Sequence, residues 1–191
     1  MELKTTSDEL LSKVPEVTAL FWVIKIAATT FGETAGDAVS MSLNLGYLIG
    51  TLIFAVIFAG AVVAQIAARE FRPFLYWATI IASTTVGTTL ADFVDRSLGI
   101  GYAGGTTLLI TLLMMSLFAW YRTLGSISID TVRSPKSEMF YWVTIMLSQT
   151  LGTALGDWSA DTAGLGYIGG AVLLSALLAL VAAAYLWSDI S

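Results

Sequence analysis

Three aspartates recur at equivalent places in this sequence and are its clearest candidates for chemistry. Asp37, Asp92 and Asp157 each follow a tryptophan by 15 residues, and Glu33 adds a fourth carboxylate one helical turn before Asp37. Carboxylates are hard oxygen ligands that suit sodium, magnesium, calcium or manganese ions, and they can also carry protons. These residues therefore predict a site for an inorganic cation or a proton.

Further polar residues accompany these carboxylates at helical spacing. In the first copy, Lys25, Thr29, Glu33 and Asp37 recur about once per helical turn, which places them on one face of a helix. Repulsion between Glu33 and Asp37 makes one of them a candidate proton carrier, and Lys25 would supply a counter-charge. The predicted ion- or proton-binding residues are Glu33, Asp37, Asp92, Asp157, Lys25, Thr29, Thr88, Gln149 and Thr153.

The residue types that the chain lacks exclude several chemistries. It has no cysteine and no histidine, which removes disulfides, thiolate nucleophiles, imidazole bases and zinc sites built from Cys or His. Its net charge of −5 argues against nucleic acid as a partner, because phosphate binding needs clustered Lys and Arg. No covalent cofactor is expected, and any bound ion would be a hard cation held by oxygen atoms.

The composition indicates an all-α integral membrane protein. Of the 191 residues, 57% are hydrophobic and 12% are charged, whereas a soluble domain carries about a quarter charged residues. The apolar residues form continuous runs that are long enough to span a bilayer as helices, rather than the short alternating segments of a β-barrel. Six transmembrane helices are predicted, at residues 17–39, 45–68, 74–94, 100–121, 139–160 and 165–187.

The six predicted spans are three copies of one two-helix unit. Equivalent tryptophans lie 55 and 65 residues apart, and a Gly-Tyr pair begins 9 residues after each repeated aspartate. Because each unit has two spans, the three repeats are parallel and are related by an axis along the membrane normal. The predicted organisation is a cytosolic leader at 1–16, repeat 1 at 17–72, repeat 2 at 73–123, a cytosolic linker at 124–138 and repeat 3 at 139–187.

The basic residues predict the orientation of these spans. Seven of the nine Lys and Arg residues lie in the leader and in the connections after the second and fourth spans, whereas Arg96 alone lies in the opposite loops. The positive-inside rule therefore places both termini in the cytoplasm. On the outer side, Asp95 and Asp161 are expected to lie in loops that are exposed to water.

A structural interpretation of the repeated residues stands beside the functional one. Glycines at GxxxG spacing let membrane helices approach closely, and the aspartates could form hydrogen bonds between helices instead of a site. The repeated tryptophans Trp22, Trp77 and Trp142 are predicted to anchor the helices at the membrane interface. The predicted helix-packing residues are Gly32, Gly36, Gly46, Gly50, Gly87, Gly101, Gly105, Gly152, Gly156, Gly166 and Gly170.

The repeated motifs also resemble those of a known family. The segments FGETAGD, TTVGTTLADFVDRSLGIGY and SQTLGTALGDWSADTAGLGY are similar to bacterial uncharacterised membrane-anchored proteins made of tandem two-helix repeats of unknown function. The resemblance implies an integral protein of the bacterial plasma (inner) membrane and supplies no substrate. It also implies four repeats, so three repeats suggest a shorter member, a truncated chain or a homo-oligomer in which a neighbouring subunit completes the bundle.

Three functions are compatible with these features. The favoured one is a non-enzymatic, small secondary transporter or exporter of an inorganic cation, with divalent metals among the candidates and proton coupling expected, acting within the lipid bilayer. The alternative is a non-transporting membrane scaffold or a subunit of a larger complex. An intramembrane aspartyl hydrolase is the least favoured, because the Gly-x-Gly-Asp pattern is replaced by Thr-Ala-Gly-Asp and Ala-Leu-Gly-Asp.

Overall fold

The computed structural model describes residues 13–68, 70–129 and 132–187, and this part of the chain is built from helices. The predicted leader lies outside the described residues as far as residue 12, and the predicted linker does so at residues 130 and 131. The prediction of an all-helical fold is confirmed. The long helices are α1 (Ala19–Asp37), α2 (Tyr47–Ala67), α3 (Pro73–Asp92), α4 (Gly101–Leu124), α5 (Pro135–Asp157) and α6 (Gly166–Trp187).

The local sequence accounts for the first residues of the odd-numbered helices. Thr18 caps α1, because its hydroxyl oxygen accepts a hydrogen bond from the backbone N–H of Phe21 at 3.2 Å. Helices α3 and α5 begin at Pro73 and Pro135, where proline suits the first helical position. The cap on Ser134 and the proline after it start α5 four residues before the apolar stretch predicted from residue 139.

Each odd-numbered helix continues into the same wide turn. The repeated aspartate is its last α-helical residue, and five residues of π-helix follow, at Ala38–Ser42, Phe93–Ser97 and Trp158–Thr162. Turns of this kind are rare, and they often occur at functional sites. The three repeats therefore share a backbone irregularity that lies directly beside the candidate carboxylates.

A glycine with positive φ connects each wide turn to the next helix. The φ angles are 77° at Gly46, 67° at Gly101 and 64° at Gly166, a region that side-chain-bearing residues rarely adopt. No atom of the described residues lies within 4 Å of a Cβ built on any of these glycines. The packing role predicted for these three residues is thus replaced by a turn role, which explains the repeated Gly-Tyr pair.

Helix α3 lies at the centre of the molecule. It packs against α1, α2 and α5, while α4 packs against α5. Two thirds (67%) of the residues in the most apolar part of α3 are buried, compared with 6% in α6. Helices α2 and α4 each pack on the first helix of the following repeat, so the repeats are joined head to tail.

The helices are compatible with a membrane protein. Within the described residues, four helices are long and apolar enough to cross a bilayer, namely α2, α4, α6, and α3 together with its wide turn. Helices α1 and α5 are as long but more polar, because α1 carries Lys25, Glu33 and Asp37 and α5 carries several Ser, Thr and Gln residues. Six spans were predicted, and the two polar helices are those that position most of the candidate site.

Candidate functional site

A cavity of about 450 Å³, whose wall is mostly apolar but carries several polar side chains, lies between α1, α3, α5 and α6. Five of the nine predicted ion-binding residues line it, namely Thr29, Glu33, Gln149, Thr153 and Asp157. Its other walls are formed by Thr84, Gly152, Gly156, Ala160, Tyr167, Gly170, Ala171 and Leu174. The cavity therefore combines two carboxylates with neutral oxygen atoms, and its remaining surface is small or apolar.

An arginine joins two of the repeated aspartates at one end of this cavity. Nε of Arg96 donates to Oδ1 of Asp92 at 2.9 Å, and Nη2 donates to Oδ2 of Asp157 at 3.0 Å. The side chain of Asp92 is 3% exposed, and that of Arg96 is 31% exposed. Because a buried carboxylate is costly unless it is paired, Arg96 stabilises both aspartates and ties the end of α3 to the end of α5.

Sequence reasoning missed Arg96 as a residue of the site. The sequence predicts that position 96 lies in an outer loop. In the structure the helix continues through the wide turn, so Arg96 lies one helical turn after Asp92 and pairs with it. The i,i+4 spacing of an aspartate and an arginine was the available signal. The aromatic rings of Tyr47 and Tyr102 lie 6.0 and 5.9 Å from the guanidinium carbon and enclose it further.

The other predicted charged residues divide into two groups. Asp37 lies within electrostatic range of Asp157 and Arg96, and Glu33 lies within range of Asp37 and Asp157. Lys25 lies two helical turns before Glu33 and forms no ion pair with any described residue. The structure thus brings the four predicted carboxylates towards one region, where Arg96 rather than Lys25 is the cation that pairs with two of them, Asp92 and Asp157.

Hydrogen bonds between polar side chains hold α3 against α5 beside the cavity. The hydroxyl of Thr84 donates to Oε1 of Gln149, and Nε2 of Gln149 donates to Oγ of Ser83 at 2.9 Å. The hydroxyl oxygens of Thr88 and Thr153 lie 3.5 Å apart. Thr88 is buried in this contact and does not line the cavity, so its role in the structure is packing.

Asp95 occupies a different environment from the one the sequence predicted. It is buried, and neither of its carboxylate oxygens has a hydrogen-bond partner among the described residues. The wide turn places it directly against Gly105 of α4, where a Cβ would collide with Oδ1 of Asp95. The prediction of an exposed loop residue was wrong for Asp95, because the helix extends past Asp92. Asp161 is exposed as predicted, and it accepts a hydrogen bond from the hydroxyl of Tyr102 at 2.9 Å.

Several predicted packing glycines do lie at close contacts. An ideal Cβ on Gly32 would lie 2.9 Å from Cβ of Thr84, and one on Gly87 would lie 3.0 Å from Oγ1 of Thr150. Helices that approach this closely leave little room for a larger side chain at the glycine. The glycines with such neighbours are Gly32, Gly36, Gly87, Gly105 and Gly170, whereas the atoms nearest to an ideal Cβ on Gly50 lie at an ordinary contact distance of 3.5 Å. At Gly152 and Gly156, by contrast, no described atom lies within 4 Å of an ideal Cβ.

The repeated tryptophans belong to a row of aromatic rings that crosses the repeats. The ring of Phe21 lies 5.4 Å from that of Trp77, and the ring of Tyr76 lies 5.5 Å from that of Trp142. Trp22 is about half exposed, as an interface anchor would be, whereas Trp142 is buried. Trp142 therefore packs inside the protein and does not face lipid headgroups.

The cavity does not have the ligand set of a tight metal centre. No group of three acidic side chains in the described part of the chain is arranged to hold a metal ion. Of the two carboxylates in the cavity wall, Asp157 is already bound to Arg96. Calcium takes six to eight oxygen ligands, and magnesium requires a near-ideal octahedron, so the arrangement suits a proton or a loosely held cation better.

Comparison with known proteins agrees with the internal repeats. A family model described as a Repeat of Unknown Function (DUF347) matches the chain three times, at residues 20–71, 75–126 and 140–191. Each match covers one helix pair, that is α1 with α2, α3 with α4, or α5 with α6. No curated protein and no solved structure matches the chain.

Proposed function

The chain belongs to this family of tandem repeats of unknown function, and we propose that it moves a proton or a small inorganic cation across a bacterial plasma membrane through the cavity that Glu33 and Asp157 line. In this proposal all six helices span the bilayer as three parallel repeats. Both termini lie in the cytoplasm, because seven of the nine basic residues cluster at that end.

The packing of the two polar helices supports six spans. Helix α1 lies along α3 through Gly32 and Gly36, and α5 lies along α3 from Tyr141 to Thr153. Thr29 and Glu33 of α1 and Gln149, Thr153 and Asp157 of α5 line the cavity, where a bilayer-spanning helix can keep such groups out of lipid. We therefore treat α1 and α5 as spans in spite of their lower hydropathy.

The single observation that carries the proposal is the meeting of Glu33 and Asp157 in one cavity between α1, α3, α5 and α6. A charged side chain at the bilayer centre costs at least about 2.5–3.5 kcal/mol, and such residues usually face a partner or a water-filled space. Thr29, Gln149 and Thr153 add neutral oxygen atoms that can replace part of the hydration shell of a cation. The small number of free carboxylates favours a proton or a monovalent cation over a tightly bound divalent metal.

A specific observation favours the second candidate, a non-transporting scaffold or subunit of a larger complex. The ion pairs of Arg96 use two of the four carboxylates to join helix ends, which is a structural role. The same ion pairs weigh against an aspartyl hydrolase, since that chemistry needs two carboxyl groups that share a proton.

Flux measurements on purified protein in liposomes distinguish transport from scaffolding. We expect movement of protons, sodium or potassium above that of protein-free liposomes, with magnesium and manganese as further arms of the panel. Glu33→Gln removes the exposed cavity carboxylate and should slow flux at least about tenfold, which corresponds to about 1.4 kcal/mol. Asp161→Asn is the matched control, because Asp161 lies outside the cavity wall at the same end of the molecule and should leave flux unchanged.

Two results would contradict the transport proposal. One is the absence of flux for every ion in the panel from protein that is monodisperse and helical. The other is a flux that Glu33→Gln leaves at the rate of the unmodified protein. Either result would favour the scaffold.

A further inference from the structure

The contacts between successive odd-numbered helices follow one rule in this structure. An ideal Cβ on Gly32 of α1 lies 3.2 Å from Oγ1 of Thr85 on α3, and one on Gly87 of α3 lies 3.0 Å from Oγ1 of Thr150 on α5. These are equivalent residues of successive repeats, so each repeat offers a glycine to a threonine of the next. The equivalent glycine of the third repeat is Gly152, which no described atom approaches within 4 Å.

The complementary half of this contact is exposed on α1. Thr30 is the first-repeat equivalent of Thr85 and Thr150, which are both buried, yet Thr30 is exposed. Its neighbour Phe31 is 63% exposed, whereas Val86, the equivalent of Phe31 on α3, is 2% exposed. The face of α3 that carries Thr85 is therefore buried against the preceding repeat, whereas the equivalent face of α1 is exposed.

The even-numbered helices also leave the last position of the series without a packing partner in the part of the chain that the structure describes. Helix α2 packs on α3 and α4 packs on α5, whereas only 6% of the apolar part of α6 is buried. Lipid can cover the leucines of α6, but it is a poor neighbour for Thr30 of α1 and for Gln149 and Thr153 of α5. A helix with its own polar and small residues fits this position better than lipid.

We propose that a second copy of this chain seats its α1 against α5 and α6, so that the α1–α3–α5 series of interfaces continues from one copy into the next. Thr30 of the second copy then lies over Gly152, as Thr150 lies over Gly87. If the same contact is made in both directions, the assembly closes as a dimer.

This assembly completes the cavity. The hydroxyls of Thr88 and Thr153 lie 3.5 Å apart across α3 and α5, and the first-repeat equivalent of both residues is Glu33. The next step of the series therefore brings Glu33 of the second copy beside Thr153, within the cavity wall. The second copy contributes a carboxylate to the site of the proposed function, and that part of the inference rests on the proposed function.

Cysteine cross-linking tests the contact directly, because the natural sequence has no cysteine. Thr30→Cys and Gly152→Cys are introduced into separately tagged copies that are expressed together, and their membranes are mildly oxidised. We expect an intermolecular disulfide, because at the equivalent contacts an ideal Cβ on the glycine lies 3.0–3.2 Å from Oγ1 of the threonine. Sγ of the cysteine takes the place of that oxygen, and a disulfide joins Cβ atoms that are about 3.5–4.5 Å apart. Gly87→Cys with Thr150→Cys in one chain is the matched control and should cross-link within that chain, because the atom nearest to an ideal Cβ on Gly87 is Oγ1 of Thr150, which the second cysteine replaces.

A second variant tests the same contact without cysteines. Gly152→Leu fills the space on α5 that Thr30 of the second copy would occupy. We expect it to convert the dimer into a monomer in native mass spectrometry of detergent-solubilised protein. Gly60→Leu is its control, because Gly60 on α2 likewise has no described atom within 4 Å of an ideal Cβ, and it should leave the dimer intact.

The outcomes separate this inference from the proposed function. The proposed contact of α1 with α5 and α6 of a second copy would be refuted if no disulfide formed between copies. It would also be refuted if Thr30→Cys and Gly152→Cys formed a disulfide only when both were in the same chain. A dimer that survives Gly152→Leu would also overturn it. Because neither measurement uses ion flux, a dimer without transport and transport without a dimer are distinguishable results.

Discussion

Replacing Arg96 with methionine tests whether the two ion pairs of this residue hold the ends of α3 and α5 together. The substitution keeps much of the length of the side chain but removes the cation that bonds to Asp92 at 2.9 Å and to Asp157 at 3.0 Å. Asp92 is almost completely buried, so its carboxylate would remain in the protein without a partner. We therefore expect a large loss of stability from a single surface-proximal change.

The structure sets the size of this loss. Removing one partner of a fully buried ion pair costs about 3–5 kcal/mol. The arginine itself is 31% exposed, so water screens part of the interaction, and we expect a loss of about 2–3 kcal/mol in the free energy of unfolding. The control is Arg122→Met at the end of α4, where an exposed arginine should contribute less than about 0.5 kcal/mol.

Unfolding by SDS in mixed micelles, followed by tryptophan fluorescence, measures both variants. Adding Asp92→Asn to Arg96→Met removes the stranded negative charge and should recover at least about 1 kcal/mol of the loss, because the two residues interact directly. An Arg96→Met protein as stable as the Arg122→Met control would refute the reasoning. So would a double variant that is no more stable than Arg96→Met alone.

Two further substitutions test a second buried ion pair and the close contact between Gly105 and Asp95. The buried carboxylate of Glu138 lies 2.7 Å from the Lys13 ammonium. Lys13→Met removes this cation and should lower the free energy of unfolding by about 3 kcal/mol in the same SDS titration. An unchanged midpoint would contradict this expectation. Gly105→Ala forces a Cβ against buried Asp95 and should cost about 1–3 kcal/mol, whereas Gly60→Ala, in open space on α2, should be neutral or stabilising. Equal effects of the two alanines would refute the close contact.

Much of the candidate site followed from the sequence because repeated helices carry their side chains at a fixed period. Glu33, Gln149 and Asp157 were predicted from spacing alone, and they meet in one cavity because their helices pack in parallel register around α3. A periodic pattern fixes the face on which a residue lies, and the packing of amphipathic helices then decides which faces meet.

The wide turns account for what the sequence could not predict. A π-helical turn has no strong signal in residue type, and the sequence predicts that the third span ends at residue 94. The helical turn instead continues to Ser97, which brings Arg96 into the site and buries Asp95 against Gly105. The tertiary contacts of α6 were equally hidden, because its uniformly apolar sequence gives the same pattern whether it faces protein or lipid.

The central position of α3 has a consequence for how the protein unfolds. The second repeat has extensive interfaces with both of its neighbours, whereas in a single copy the first and third repeats contact each other directly mainly through a small patch between α2 and α5. Arrays of this kind behave as linear chains of units with nearest-neighbour coupling, in which terminal units open at lower free energy than central ones. The repeats of this molecule therefore unfold together mainly because α3 packs against both the first and the third repeat. Weakening either of these two interfaces should divide one unfolding transition into two.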